Sequence, residues 1–309
     1  MVDLLAVGGV TLDHLFWVDS IPKRHLGAAI RRYGRYFGGR APNVAVAAAK
    51  LGIRTGLVSP VGDDFSSSGY EEHLRQLGVD LRGTVRVSGK RTKKIFIFTD
   101  TRTDQITFFN YGVDCFFKEM RVPTELINQS KIVHITSSGD CRFNIRCAKF
   151  AHENKTVVSF DPGNDPCARI SNYLEKMVRL STFIFLNDVE AINMIKKLKL
   201  RSINELLDLG INAAVVINKE DRSSSIYARG KLEEIPSALR TVRDPTGASD
   251  AYIGAFLAGL TKGYSLRSAG MIGSIEASFA VEGFGAQTNL PDWGSLCQRH
   301  REIFGAELS

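Results

Sequence analysis

Apolar runs typical of buried strands alternate with segments of helical period along almost the whole chain. The predicted strands of this series are residues 4–10, 55–61, 131–136, 156–160, 182–186 and 213–218. The predicted helices between them include residues 41–51, 69–77, 144–153 and 203–208. Strands that alternate with helices pair in parallel, because each crossover returns the chain to the same edge of the sheet. The pattern therefore predicts an α/β fold, a three-layer sandwich with a mostly parallel central sheet between two layers of helices.

Two stretches break this alternation, residues 14–37 and 92–110. Both alternate apolar and polar residues with a period near two, and neither carries a helix between its strands. We expect antiparallel strands that form a small β lid apart from the main sheet. The predicted lid is discontinuous, at residues 14–37 and 91–111, and the predicted α/β core consists of residues 1–13, 38–90 and 112–309.

The composition is that of an ordinary globular protein of 309 residues, with 44% hydrophobic and 24% charged residues. A whole-chain coiled coil or disordered chain is thereby excluded. The net charge of +7 is mild for this length, and basic residues are not interleaved with aromatic ones, so we expect no nucleic-acid partner. The N-terminal apolar run, residues 4–10, lacks a basic flank and is too short to span a membrane. We expect a cytoplasmic protein with no membrane partner.

The cysteines are odd in number and form no C-x-x-C pair, which speaks against both a disulfide framework and a zinc cluster. A reducing compartment is the expected environment. The five residues are Cys115, Cys141, Cys147, Cys167 and Cys297.

The segment 244–259, DPTGASDAYIGAFLAG, predicts a helix of small and apolar residues preceded by a tight turn. The backbone N–H groups of Gly247, Ala248 and Ser249 would point outward at its start, where the helix dipole favours an anion. Asp250 lies in the same first turn and could accept a proton from an attacking hydroxyl, which makes it a candidate general base. The alternative is that Asp250 only complements the helix dipole.

A second motif, GGRAPN, precedes the predicted helix 41–51. Adjacent glycines, Gly38 and Gly39, allow the backbone to approach a ligand closely, and the side chain of Asn43 can hydrogen-bond a sugar hydroxyl. Arg40 stands beside the glycine pair. The alternative is a hinge between lid and core in which Asn43 only caps the helix.

The two motifs together resemble the signatures of the ribokinase family of carbohydrate and nucleoside kinases, also called the phosphofructokinase B family. Its second signature reads D-x-T-G-A-G-D, from which this chain departs at Ser249. The resemblance covers essentially the whole chain and implies a ribokinase-like fold. It further implies that Asp13 binds sugar hydroxyls, that Thr246 and Gly247 contact the nucleotide, and that Asp250 is the base.

The element Asn187-Asp188-Val189-Glu190 follows a predicted strand and matches the N-x-x-E element of the family. In the family this element supports Mg²⁺ and the nucleotide phosphates, often through water, so the resemblance implies that Asn187 and Glu190 hold the metal and that Asn187 contacts the nucleotide. Mg²⁺ prefers oxygen ligands and keeps much of its hydration. The same spacing also describes a helix capping box, and both interpretations are compatible.

The donor side departs further from the family pattern. Where the family has V-T-x-G-x-x-G, Asn218 replaces the usual Thr, and Glu220 and Ser223 replace the two glycines. We assign Asn218 and Glu220 to the nucleotide-binding loop and leave the donor open between ATP and ADP. A requirement for a monovalent cation is a further property of the family that the sequence leaves open.

The run IFTD followed by QITFFNYG, with Gln105 as a candidate acceptor ligand, resembles the nucleoside-kinase branch, which includes enzymes described as adenosine kinases. A ribonucleoside is therefore the first candidate acceptor. Phe98, Phe108 or Phe109 could offer a flat face to a base, although such aromatic residues often serve packing alone.

Basic residues concentrate in the predicted lid and at its edges, and they suggest a second acceptor, a sugar phosphate such as ribose 1-phosphate. The alternative is that most of them protect exposed strand edges, with Arg40 as the best exception. The set is Lys23, Arg24, Arg31, Arg32, Arg35, Arg40, Lys90, Arg91, Lys93, Lys94 and Arg102.

The expected activity is in-line transfer of a terminal phosphoryl group from a Mg-nucleotide to a primary hydroxyl of the bound sugar, with Asp250 accepting the proton. A protein of a different class, a non-catalytic regulator that binds nucleotide or sugar, is the alternative that Ser249 and the altered donor loop support. The family resemblance also suggests a homodimer formed through the lid strands.

Overall fold

The computed structural model describes residues 1–102, 104–163, 166–217, 221, 223–305 and 308. The strands are β1 (Val2–Val7), β2 (Thr11–Val18), β3 (Ile30–Gly38), β4 (Thr55–Val61), β5 (Asp80–Arg86), β6 (Lys93–Thr99), β7 (Gln105–Asn110), β8 (Ser130–Thr136), β9 (Val157–Asp161), β10 (Phe183–Asn187), β11 (Ala213–Ile217), β12 (Ser224–Ala228) and β13 (Lys231–Ile235). The helices are α1 (Arg40–Lys50), α2 (Asp64–Ser67), α3 (Tyr70–Gln76), α4 (Thr124–Asn128), α5 (Cys141–Glu153), α6 (Ser171–Leu180), α7 (Asp188–Leu198), α8 (Glu205–Asp208), α9 (Ala248–Thr261), α10 (Leu266–Ala280) and α11 (Trp293–Phe304). Two 3₁₀ helices, Gly112–Glu119 and Pro166–Arg169, connect elements near the centre of the chain.

The main sheet has nine strands in the order β13-β12-β11-β10-β9-β8-β1-β4-β5. All neighbours from β11 through β5 pair in parallel, and only β12 and β13 at one edge are antiparallel. The mostly parallel α/β fold predicted from the alternation of strands and helices is therefore confirmed.

Helices cover both faces of this sheet. Consecutive residues of β1 point to opposite faces, so Leu5 joins the core beneath α5 to α8 while Leu4 joins the core beneath α1, α9 and α10. Both side chains are completely buried. Strands with two buried faces read as continuous apolar runs, and this is why the sequence marks these strands so clearly.

The lid strands form a second sheet of four strands in the order β3-β2-β6-β7. The antiparallel expectation holds for the pairs β2–β3 and β6–β7 but is wrong for the central pair, because β2 and β6 are parallel. The reason is connectivity: residues between β3 and β6 return through the main sheet, and this long crossover permits parallel pairing. The exact division of the chain into core and lid segments stays a prediction.

One cysteine pair departs from the sequence expectation. Cys141, at the start of α5, and Cys167, in the second 3₁₀ helix, form a disulfide. The odd count and the absence of a C-x-x-C motif argued against such a bond, but pairing depends on proximity in the fold, which spacing does not reveal. The structure therefore corrects the expectation drawn from cysteine spacing. Within the described residues, no helix is long and apolar enough to cross a membrane.

Candidate active site

A cavity of about 410 Å³ opens between the carboxyl ends of the main-sheet strands and the inner face of the second sheet. Its walls include Asp161 and Asn187, at the ends of β9 and β10, and Asp250 in the first turn of α9. Ligands of open α/β sheets bind at this edge, where the loops that follow parallel strands converge. Gly39 and Arg40 of the first signature and Ser249 and Asp250 of the second thus line one cavity.

The first turn of α9 has the backbone form expected of an anion site. Gly247 precedes the helix with φ of 81°, a left-handed conformation that favours glycine. Among the described residues, the N–H groups of Gly247 and Ser249 have no acceptor, whereas Ala248 N–H donates to the carbonyl of Pro245 over 3.3 Å. Of the three predicted donors, two are therefore available and Ala248 is already engaged in the turn.

Asp250 is buried beside these donors, with 7% of its surface exposed. Its Oδ2 accepts a hydrogen bond from the Asn43 amide over 2.7 Å. Burial raises the pKa of Asp250 to about 7, opposed by the Asn43 hydrogen bond and Arg40 and reinforced by Asp161 and Asp13. A carboxyl group with this pKa can exist as the ionised base at neutral pH and take up a proton readily. Because Asn43 bonds to Asp250, helix capping is not its role here.

Arg40 lies in the wall of the cavity but is bound to the protein. Its guanidinium donates to Asp161 Oδ1 over 3.1 Å and to the carbonyl oxygen of Ser137 over 3.1 Å. Burial raises the pKa of Asp161, while Arg40 and the Gly163 N–H lower it. The charge of Arg40 is therefore largely committed to Asp161.

The glycine pair brings the end of the second sheet against the end of β1. Gly39 has φ of 102°, and a Cβ at this position would collide with the carbonyl oxygen of Gly9. Asp13 lies beside Gly38, and its Oδ1 accepts a hydrogen bond from the Thr11 hydroxyl over 2.6 Å. Burial raises the pKa of Asp13 to about 6. Gly39 lines the cavity, whereas Asp13 and Gly38 are buried behind it and do not line it.

The inner face of the second sheet supplies an apolar wall. Ile95, Phe109 and Tyr111 line the cavity, and the Phe109 and Tyr111 rings stack with centroids 6.0 Å apart. Lys93 beneath them is buried and bonds to Asp114 over 2.6 Å. These aromatic rings offer a flat surface on the side of the cavity that the second sheet forms.

Strand alternation separates the three phenylalanines that the sequence proposed for stacking. Phe109 faces the cavity, whereas Phe98 and Phe108 contact each other edge-to-face on the outer face of the sheet. Gln105 does not line the cavity: its amide donates to Thr99 Oγ1 over 3.1 Å at the far end of β7. The structure therefore brings Phe109 to the site and leaves the other three residues outside it.

Asn187 and Glu190 line the cavity and also form the capping box of α7. Asn187 Oδ1 accepts from the Glu190 N–H, and Glu190 Oε2 accepts from the Asn187 N–H, each over 2.9 Å. The described residues contain no group of three metal-ligating side chains. An amide and a carboxylate oxygen fit a hard cation such as Mg²⁺ only where phosphates and water supply the remaining ligands.

A small pocket of about 10 Å³ adjoins Ser249. It is lined by Ile217, Leu239, Tyr252 and Val281, among others. Thr246 lies at the turn, where its N–H donates to Asp244 Oδ1 over 3.0 Å. Asn218 and Glu220, the predicted nucleotide ligands, lie outside the described residues.

Several site residues were missed from the sequence. Thr136 ends β8, Ser137 and Ser138 follow it, and all three line the cavity; their position at the end of a buried strand was the available signal. Asp161 has the same signal, because it ends β9. Gln287, which hydrogen-bonds Asn43, carries no such mark in the sequence.

Comparison with known proteins identifies the class. Residues 1–293 match the model of the pfkB family carbohydrate kinases, and the chain belongs to that family. It is therefore a phosphotransferase that acts on a sugar or nucleoside hydroxyl and uses a nucleotide as phosphate donor. The family resemblance and the ribokinase-like fold are both confirmed.

Individual relatives are nucleoside and sugar kinases. The nucleoside kinase of Methanothermobacter thermautotrophicus is 35% identical over 305 residues, which cover 99% of this chain and 97% of the relative. The nucleoside kinase of Methanocaldococcus jannaschii is 37% identical over 302 residues, 97% of each chain. Its crystal structure, described as an archaeal member of the ribokinase family, covers 98% of this chain and 99% of its own with a TM-score of 0.89. An ATP-dependent ribose-1-phosphate kinase of Halopiger xanaduensis is 34% identical over 164 residues, 53% of this chain and 55% of the relative.

Proposed function

We propose that this protein is a nucleoside kinase that transfers the terminal phosphoryl group of ATP to the primary hydroxyl of a ribonucleoside. One observation carries the proposal: Asp250 lies in a single cavity with Phe109 and Tyr111 on one side and Asn187 and Glu190 on the other. A nucleoside with its base against the aromatic wall would direct its sugar toward Asp250. The names of the two archaeal relatives support the same substrate class.

The proposed chemistry assigns distinct tasks to the residues around Asp250. Its carboxylate accepts the proton of the attacking hydroxyl as the new O–P bond forms and the bond from the γ-phosphorus to the leaving ADP breaks. The N–H groups of Gly247 and Ser249 stabilise the charge on the transferring group, because a preorganised donor gains strength in a site that excludes water. Asp13 and Asn43 are the proposed ligands of the sugar hydroxyls.

The acceptor site fits a neutral nucleoside better than a sugar phosphate. Arg40 and Lys93, the two basic residues of the predicted lid set that line the cavity, are already paired with Asp161 and Asp114. A phosphate bound by Arg40 or Lys93 would have to displace one of these carboxylates, and Arg169, exposed and outside the predicted lid set, is a further basic residue in the cavity wall. A sugar phosphate remains the second candidate because of the ribose-1-phosphate kinase among the relatives.

Mg²⁺ is the proposed metal, and it would neutralise charge on the phosphates of the donor when bound. Glu190 and Asn187 would hold it, chiefly through water. We favour ATP over ADP as the donor, in line with the name of the ribose-1-phosphate kinase. The monovalent cation and the cytoplasmic location stay predictions.

Replacement of Asp250 by Asn tests the role of the base. Asn keeps the shape and a hydrogen-bonding group but cannot accept the proton, so we expect turnover to fall by about 10²- to 10⁴-fold while nucleotide binding persists. The matched control is Asp208→Asn at an exposed position of α8, which should retain wild-type turnover. Wild-type turnover in Asp250→Asn would overturn the assignment.

We also propose that the outer face of the second sheet binds a second copy of the chain. This face carries a connected set of rings, among them Phe16 stacked on Phe98 at 4.6 Å, and Phe108 is 58% exposed. The edge strands of this sheet, β3 and β7, are also open to pairing among the described residues. Sedimentation velocity of Phe108→Glu, beside the exposed control Ile192→Glu, tests the interface. A dimer in the wild type and control but a monomer in Phe108→Glu is expected, whereas an unchanged state of assembly would contradict it.

A further inference from the structure

The amide of Asn43 can present either of its two ends to Asp250. With its NH₂ group toward the carboxylate it donates a hydrogen bond, and with its oxygen toward the carboxylate it repels the ionised form. The structure has the donating orientation, with Nδ2 of Asn43 at 2.7 Å from Oδ2 of Asp250. Residues that hold the Asn43 amide in this orientation therefore also favour the ionised form of Asp250.

A buried chain of hydrogen bonds fixes that orientation. Gln287 Nε2 donates to Asn43 Oδ1 over 2.8 Å and to the Tyr70 hydroxyl over 2.6 Å. The Tyr70 hydroxyl in turn donates to the backbone carbonyl of Gly38 over 2.9 Å. A backbone carbonyl can only accept, so the single Tyr70 proton points to Gly38 and its lone pairs face Gln287. Each donor along the chain is thereby assigned, up to the NH₂ group that Asn43 presents to Asp250.

His73 holds the opposite end of the Gln287 amide. Its Nε2 lies 3.1 Å from Gln287 Oε1, and because this oxygen can only accept, Nε2 carries the proton. Burial lowers the pKa of His73, opposed by the hydrogen bond to Gln287 and reinforced by Lys50, so a neutral ring is expected at neutral pH. The ring lies beside Phe37 at 5.0 Å, which fixes its plane. Of the two orientations of the Gln287 amide, only the observed one lets Nε2 donate to the Tyr70 hydroxyl, whose own proton points to Gly38, and the Nε2–H tautomer of His73 matches that orientation.

We propose that Gln287 is a positioning residue for phosphoryl transfer: it holds the Asn43 amide with its donor toward Asp250. The proposal rests on the function proposed above and adds a residue that contacts neither the carboxylate of Asp250 nor the cavity. Gln287 itself is buried, with 6% of its surface exposed. It joins the loop before α11 to α1 and α3, so three separate parts of the chain set the orientation of one carboxylate.

The charged groups around Asp250 make this hydrogen bond consequential. Asp161 and Asp13 disfavour its ionised form, and Arg40 and Asn43 favour it. Arg40 is shared with Asp161. Loss of the oriented Asn43 donor leaves the burial and the two neighbouring carboxylates less opposed, so the pKa of Asp250 rises.

Gln287→Met is the first test, because Met has a similar length but cannot orient the Asn43 amide. The matched control is Gln76→Met on the exposed face of α3, where the amide bonds only Glu72. The carboxyl pKa of Asp250 is followed by ¹³C NMR in ligand-free protein labelled at aspartate, with assignment by Asp250→Asn. We expect it to move upward in Gln287→Met and to stay in place in the control.

Steady-state kinetics gives the second readout. In Gln287→Met, kcat/KM should fall at least tenfold at pH 6 but less than threefold at pH 8.5, where Asp250 ionises in either variant. An equal loss at both pH values would indicate a merely structural role and overturn the proposal. An unchanged Asp250 titration in folded Gln287→Met would overturn it as well.

Tyr70→Phe is a second test of the same hydrogen bonds, for use if Gln287→Met does not fold. It removes the Tyr70 hydroxyl that accepts from Gln287 and should raise the pKa of Asp250 by less than Gln287→Met does. An unchanged Asp250 titration in this folded variant would contradict the proposed chain of hydrogen bonds. Because the NMR titration needs no substrate, it tests the positioning role even if the wild-type protein phosphorylates no nucleoside. A wild-type protein that phosphorylates no nucleoside would reject the proposed function but not the positioning role of Gln287.

Discussion

The rate of phosphoryl transfer should depend on pH through the ionisation of Asp250. Burial raises the pKa of this carboxyl to about 7, and only the ionised form can accept the proton of the attacking hydroxyl. Activity is therefore present above the pKa and lost as the pH falls through it. With one group titrating near 7, about nine tenths of the enzyme is ionised at pH 8 and about one tenth at pH 6.

These fractions predict a drop in kcat/KM of about tenfold from pH 8 to pH 6. Asp13, whose pKa burial raises to about 6, should steepen the loss below pH 6 if it must be ionised to bind the sugar. The assay measures initial rates at subsaturating nucleoside, with constant ionic strength and saturating Mg²⁺ and ATP, and quantifies product by mass. A kcat/KM that stays flat from pH 5.5 to pH 8.5 would refute the assignment, as would a midpoint near the ordinary value for aspartate.

Other predictions concern stability and the acceptor wall. Glu276→Met should stabilise the protein at pH 4.5 by about 1–3 kcal/mol, because Glu276 is fully buried and neither carboxyl oxygen has a hydrogen-bond partner among the described residues. Burial raises the pKa of Glu276 well above its usual value, so through this group the wild-type free energy of unfolding should fall by about 1.4 kcal/mol per pH unit above roughly pH 4.5. In urea unfolding, the gain in free energy of unfolding of the Met variant over the wild type should therefore be larger at pH 7.5 than at pH 4.5. Equal gains at the two pH values would refute the reasoning. Cys141→Ser opens the loop of 26 residues closed by the disulfide and should lower the free energy of unfolding by about 3 kcal/mol in urea without reductant; an unchanged midpoint would contradict this. Phe109→Leu should raise the KM for the nucleoside by roughly 5- to 100-fold through lost base stacking, whereas Phe108→Leu on the outer face should not; equal KM values for the two variants would exclude the aromatic wall as the base site.

The main sheet was predictable because its strands are buried on both faces. Strand 55–61 has the predicted bounds, and the other strands of the series begin within two residues of theirs. Helix α1 starts one residue before its prediction, at Arg40. In these segments, local sequence and global packing require the same apolar residues, so pattern alone gives the element.

In the lid, the local sequence pattern predicts the strands but not how they pair or which face meets the cavity. Period-two alternation identified its strands, but the parallel pairing of β2 with β6 depends on a crossover through the main sheet. Alternation also places Phe108 and Phe109 on opposite faces without saying which face meets the cavity. That choice follows from how the second sheet is placed over the core.

Long-range pairing accounts for the rest of what the sequence left open. Arg40 stood out as a phosphate ligand, yet it bonds Asp161, which is 121 positions away in the chain. Gln287 and Asn43 are 244 positions apart, and no local motif indicates that their amides meet. The two signatures located the site, and the partners that orient its residues came only from the fold.

The most direct test of the account is a turnover assay with purified protein, Mg²⁺ and ATP, in which nucleosides, free sugars and ribose 1-phosphate compete and products are identified by mass. The account predicts that a nucleoside 5′-monophosphate forms and that Asp250→Asn abolishes it. Phosphorylation of ribose 1-phosphate alone would contradict the nucleoside assignment and would point to Arg40, Lys93 or Arg169 as ligands of the acceptor phosphate.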